Sequence, residues 1–118
     1  MKTLNAIQRN VLIEGLDDYV GLWELAGHVR DVYGPLSNDT VREMVLGYLQ
    51  PLISDKLIEA GFPKKDGTFS YWSLNPEATI ERISVNWQQL DRDPNLGEIV
   101  WFKNTKRGDT LARTFVTK

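Results

Sequence analysis

The sequence predicts a single α+β domain: three helices and a β-hairpin, extended by a fourth helix and a C-terminal strand or hairpin. Three observations predict it. Apolar residues recur at helical spacing in four stretches before residue 91. Two aromatic or β-branched runs flank Lys64-Lys65-Asp66-Gly67, and Asp-Gly between such runs signals a hairpin. At 118 residues the chain, 1–118, has the size of one domain, with residues 76–118 expected to pack on the same core as the rest.

The first helix is read over residues 4–16. Leu4, Ile7 and Val11 make one stripe, while Leu12 and Leu16 make a second about 110° around the axis, with Ile13 beyond it. A helix this apolar needs cover on two sides. Residues 17–21 form a turn or short strand. Leu22 to Tyr33 is the second helix, with Leu22, Leu25, Ala26, Val29 and Tyr33 on its inner face and Gly34-Pro35 ending it. The third helix starts at a capping box, Thr40 with Glu43 three residues on, and turns Val41, Met44, Val45, Tyr48, Leu49 and Leu52 inward. Pro51 removes a hydrogen bond inside that pattern, which predicts a kink or a break. Asn75-Pro76-Glu77 opens a fourth helix with Ile80, Ile83, Trp87 and Leu90 along one face. Glu98 to Asn104 reads as a strand, and residues after it return as another strand or fray. Trp87 and Trp101 read as core.

This order, helix, short strand, helix, helix, hairpin, resembles the winged-helix (winged helix-turn-helix) family over residues 4–74. The likeness is clearest at Leu49 to Gly61, where Leu52-Ile53-Ser54-Asp55-Lys56-Leu57-Ile58-Glu59-Ala60-Gly61 looks like a third helix passing into the first wing strand. The resemblance implies binding of DNA through helix three and the wing or, in some members, of a protein. The whole chain is also similar to small uncharacterised bacterial proteins, a likeness that carries no function.

Composition narrows the chemistry. Without cysteine there is no disulfide, thiolate metal site or thiol nucleophile. The N-terminal residues form no signal-peptide core, and no apolar run approaches the ~18 residues of a membrane span, so a cytoplasmic chain without membrane contact is expected. His28 is the only histidine and has no nucleophile motif beside it, and Asp91 to Gly97 lacks the glycine and glutamate placement of a calcium loop. The expectation is therefore no enzyme, no cofactor and no metal. Net charge is −2, unevenly spread: residues 103–118 hold five cations and one anion, the rest nine cations and fifteen anions. An acidic body matches a basic protein better than it matches nucleic acid.

The outward face predicted for helix three carries Glu43, Leu46, Gly47, Gln50 and Ser54, with one anion and no cation. Leu46 beside Gly47 offers an apolar bump with a flat neighbour, and Trp72 at the wing base offers an aromatic anchor. Glu43, Leu46, Gly47, Gln50 and Trp72 are the candidate partner-binding set. The leading expectation is a protein-binding module, in its sharper form an acidic neutraliser of the immunity or antitoxin kind. The alternative is a DNA-binding regulator using Arg42, the wing residues Lys64 and Lys65, and Lys106 and Arg107 of a basic tail. The second stripe of helix one, Leu12, Ile13 and Leu16, is covered either by the 98–116 segment or by a second copy in a homodimer.

Overall fold

The computed structural model describes residues 3–116. Met1, Lys2 and Lys118, read above within the N-terminus and the basic tail, lie outside them. In chain order the elements are α1 (Ala6–Glu14), β1 (Val20–Gly21), α2 (Leu22–Tyr33), α3 (Asn38–Ser54), β2 (Ile58–Pro63), β3 (Phe69–Tyr71), α4 (Pro76–Leu90), β4 (Trp101–Asn104) and α5 (Lys106–Val116). The result is an α+β domain whose four strands form one antiparallel sheet in the order β1-β4-β2-β3. The hairpin return strand β3 thus lies at an edge. β4 fills the place between β1 and β2, with Phe102 opposite both Val20 and Ala60.

Local chemistry explains the helix starts. The Asn5 side chain accepts from the Gln8 backbone N–H at 2.8 Å, while the Gln8 side chain accepts from the Asn5 N–H, a reciprocal cap. Asn75 caps α4 from its side chain alone, accepting from the Ala78 N–H at 2.7 Å, with Pro76 at the first helical position. α3 begins one turn before the expected Thr40 cap. Ser37, extended at φ −66° and ψ 156°, accepts from the Thr40 N–H, and Asp39 sits in the first turn where the helix dipole favours a carboxylate.

Pro51 does not break α3, which runs unbroken to Ser54. The proline lies in the last turn, and the carbonyl it leaves without a donor belongs to exposed Gly47, within reach of water. Burial of Leu49, Leu52 and Ile53 on either side of Pro51 holds the helix together. Met44 and Tyr48 are half-buried rather than core, and Tyr33, at the last position of α2, is 53% exposed.

The largest correction concerns residues after 104. The expected second strand is a helix, α5. Thr105 explains the turn: its hydroxyl donates to the Lys56 carbonyl at 2.6 Å and accepts from the Gly108 N–H at 2.9 Å. A Cβ at Gly108 would stand 2.0 Å from the Leu57 carbonyl oxygen, so only glycine lets α5 approach β2 this closely. From there α5 lies along α1. The buried Asn104 side chain donates to the Leu12 carbonyl at 2.9 Å, across a gap that bare Gly15 leaves open. One core joins Val11 and Leu12, Leu25 and Val29, Val45 and Leu49, Ile83 and Trp87, Phe102 and Ala112. Trp101 is outside it, half-buried and edge-on to Trp23 with ring centroids 4.7 Å apart.

Candidate partner-binding face on the third helix

α3 contacts α1, α2, α4 and β2, so little of its girth reaches solvent. Beyond Asp39 and Thr40 in its first turn, what remains is a single row, Glu43, Gly47, Gln50 and Ser54, all exposed and one turn apart. The Gln50 amide sits 3.5 Å from the Ser54 hydroxyl. Leu46 is half-buried against the core, so the apolar bump expected there is largely absorbed by the fold. Trp72 does not join the row. It lies beside the C-terminal end of α3, with the Arg82 guanidinium 4.0 Å above its ring, and lines a separate cleft of about 300 Å³ with Ile53 and Lys56.

Two tyrosines extend the row on its α2 side. The Tyr48 hydroxyl donates to the Tyr33 hydroxyl oxygen across 3.4 Å, bridging α2 and α3 at the surface. Burial, with the Tyr33 hydroxyl adding to it, pushes the Tyr48 phenol up to about 12, so it stays un-ionised at neutral pH. The other end of Tyr48 is fixed too, since its backbone carbonyl accepts from the Gln8 side chain at 3.1 Å. Val32, next to Tyr33, is 61% exposed. Sequence periodicity assigned both tyrosines inward. The available signal was that Tyr33 is the last residue before Gly34-Pro35, where a helix has no following turn to bury it.

The arginines near this face are engaged. Arg42 turns back to Asp39 at 2.9 Å, leaving its side chain 13% exposed. Arg30 makes a two-pronged pair with Asp93 (2.5 and 3.1 Å) and donates to the Leu36 carbonyl and the Asn38 side chain. It thereby ties α2, the start of α3 and the loop after α4 together, and the Asp93 hydrogen bond holds the Arg30 guanidinium above its ordinary range. The loop beyond is closed by Arg92, which grips both carboxylate oxygens of Glu98 at 2.7 and 3.0 Å. That grip, with the Asn95 N–H, lowers the Glu98 carboxyl to about 2. His28 Nε2 lies 3.0 Å from a Glu14 carboxylate oxygen, joining α2 to α1.

The cations of the DNA-reading alternative fall in three places. Arg42 is near the start of α3. Lys64 and Lys65 are exposed at the hairpin tip, beyond the Pro63 end of β2. Lys106 and Arg107 lie beyond the other end, because Asn104 pairs opposite Ile58. Six strand residues separate the last two groups, roughly 20 Å. The basic tail is likewise dispersed, since Lys103 belongs to the sheet and donates to the Tyr71 hydroxyl at 3.1 Å.

Of the α1 stripe, Leu12 has no exposed surface to offer a second copy, while Ile13 and Leu16 are half-buried. Its cover comes from within the chain, by α5. Among the described residues no group of three or more His, Cys, Asp or Glu is placed to hold a metal ion. No described helix is long and apolar enough to cross a membrane. No family model, curated protein or solved structure matches the chain.

Proposed function

We propose that this chain is a non-enzymatic protein-binding module of winged-helix type that docks its partner along the open edge of α3. The element order over α1 to β3 supports the winged-helix part of the reading. The observation that carries the binding part is the cation-free row of Glu43, Gly47 and Gln50 beside the Tyr33–Tyr48 pair. Tyrosine brings broad amphipathic contact area at low entropic cost and is enriched among residues that dominate binding energy. Gly47 leaves a flat spot where a partner side chain can approach the helix. The acidic character of the body favours a basic partner, steered by complementary potential, which is the neutralising role of an immunity or antitoxin protein.

The DNA-binding regulator is less well supported. Non-specific affinity for a duplex rests on several lysine and arginine contacts to phosphate, and here Arg30 and Arg42 are paired, Lys56 stands exposed just past the end of α3, and Lys64 and Lys65 lie a strand's length from Lys106 and Arg107.

A photo-crosslinking residue at Gln50, carried by the chain in living cells, tests the proposal. The expected result is a discrete adduct with protein, absent when the same residue replaces exposed Gln88 on α4. A nucleic-acid adduct at Gln50 would transfer the assignment to the regulator. So would tight binding of random duplex at low salt that disappears with Lys64→Ala and Lys65→Ala together.

A further inference from the structure

Another surface, formed where α1 and the residues before it, α5 and the turn between α3 and β2 meet, has different chemistry. A cleft of about 600 Å³ opens there, floored by Leu4, Leu111 and Phe115 and rimmed by Arg9, Arg107 and Asp55. Along α5, Arg107, Leu111 and Phe115 recur every fourth residue and form one row, so the cleft passes from a guanidinium to a phenyl ring over roughly 12 Å of helix. Surface clefts of about this volume are large enough to enclose a small molecule.

The charged rim is uncommitted. Arg107 is exposed and has no hydrogen bond or ion pair among the described residues, and neither has the Asp55 carboxylate. Arg9 donates through Nη1 to the Leu4 carbonyl, which leaves its remaining N–H groups to spare. Two guanidinium groups against one carboxylate give the rim a net positive charge. A neutral apolar molecule would leave those guanidiniums unmatched, and a bare anion would leave the leucine and phenylalanine floor wet.

We propose that this cleft binds an amphipathic monoanion, an aliphatic carboxylate with its head at Arg107 and Arg9 and its tail along Leu111 and Phe115. Guanidinium meets carboxylate in a charge-assisted, two-pronged geometry, and the tail removes apolar surface from water. The cleft shares no residue with the α3 row, which it adjoins only where Asp55 follows Ser54, so the two readings stand or fall independently.

Titrating the full chain with decanoate below its micellar range, by calorimetry and amide chemical shifts, tests this. Saturable binding at one site is expected, with shifts centred on α5, Leu4 to Arg9 and Asp55 to Leu57. Decanol, which has the tail alone, and acetate, which has the head alone, bind at least about tenfold more weakly. R107Q, at an exposed position, weakens decanoate about tenfold, the scale of one lost charge-assisted hydrogen bond. D55N tightens it severalfold by removing the opposing anion. T110W fills the cleft from an exposed position and abolishes binding, and melting curves verify that each variant is folded. The proposal is overturned if decanoate does not saturate, if R107Q and D55N leave its affinity unchanged, or if the shifts centre elsewhere. It is equally overturned if sedimentation shows a second copy of the chain seated in the cleft.

Discussion

The apolar stripe of α1 and the outward row of α3 offer themselves in the sequence for the same role, a surface that meets another molecule. They end differently. The α1 stripe is sealed at Leu12, which is fully buried and has its carbonyl held by Asn104, a residue far along the chain, while Ile13 and Leu16 are half-buried. The α3 row stays open, edged by two tyrosines and the polar side chains of Glu43 and Gln50. The contrast teaches that an apolar face is spare only after every distant segment has been placed. Burial decides between scaffold and interface; hydrophobicity alone does not.

The contrast can be broken most severely at the sealed side. Gly108→Val should lower stability by about 4 kcal/mol, because any Cβ there meets the Leu57 carbonyl and backbone must move. Leu12→Ala should cost about 3 kcal/mol through the cavity it leaves. Denaturant melts check both, and a loss below about 1 kcal/mol in either would mean that the α1–α5 seam is loose. At the open side the expectation reverses. Tyr33→Ala should leave the melting midpoint nearly unchanged yet weaken a crosslink-identified partner by at least about 2 kcal/mol, read as affinity. If stability falls instead, Tyr33 belongs to the scaffold.

The loop behind the open face sharpens the comparison through pH. The Glu98 carboxyl is lowered from 4.5 to about 2 in the folded chain, so protons bind the unfolded form more readily. Its contribution is fully present above pH 4.5 and is lost as pH falls toward 2. The Asn95 amide, which donates to Glu98, should therefore keep its chemical shift from neutral pH to about 4 and move near 2. A midpoint near 4.5 would show that the Arg92 grip is absent in solution. Smallest of all, Asp39→Asn should change stability by less than about 0.5 kcal/mol, since this 78% exposed side chain makes a solvated pair with Arg42.

Much of this architecture was legible. α2 matched its predicted span because Leu22, Leu25, Ala26 and Val29 repeat cleanly and Gly34-Pro35 stops the helix. The hairpin and the α4 cap followed from Asp66-Gly67 and Asn75-Pro76. α5 was missed although Gly108, Leu111, Ala112 and Phe115 have helical spacing, because Thr105, its cap, is recognisable only once the Lys56 and Leu57 carbonyls are beside it. The candidate row on α3 was half legible. Glu43, Gly47 and Gln50 came from periodicity, but Tyr33 and Tyr48 were assigned inward because periodicity marks the inner face of a helix and not how far its neighbours cover it. The dispersal of the cations was hidden for the same reason, since it depends on the register of β4 against β2.

That register also has a consequence for how the chain is made. β1 is two residues long, and its strand partner, β4, emerges some eighty positions later. A nascent chain released through β3 holds the hairpin but lacks the strand that joins it to β1. Such non-local closure slows folding and delays it until β4 has been synthesised. A fragment cut at residue 75 should therefore fail to acquire a cooperative melt, however complete its first three helices and hairpin look on paper.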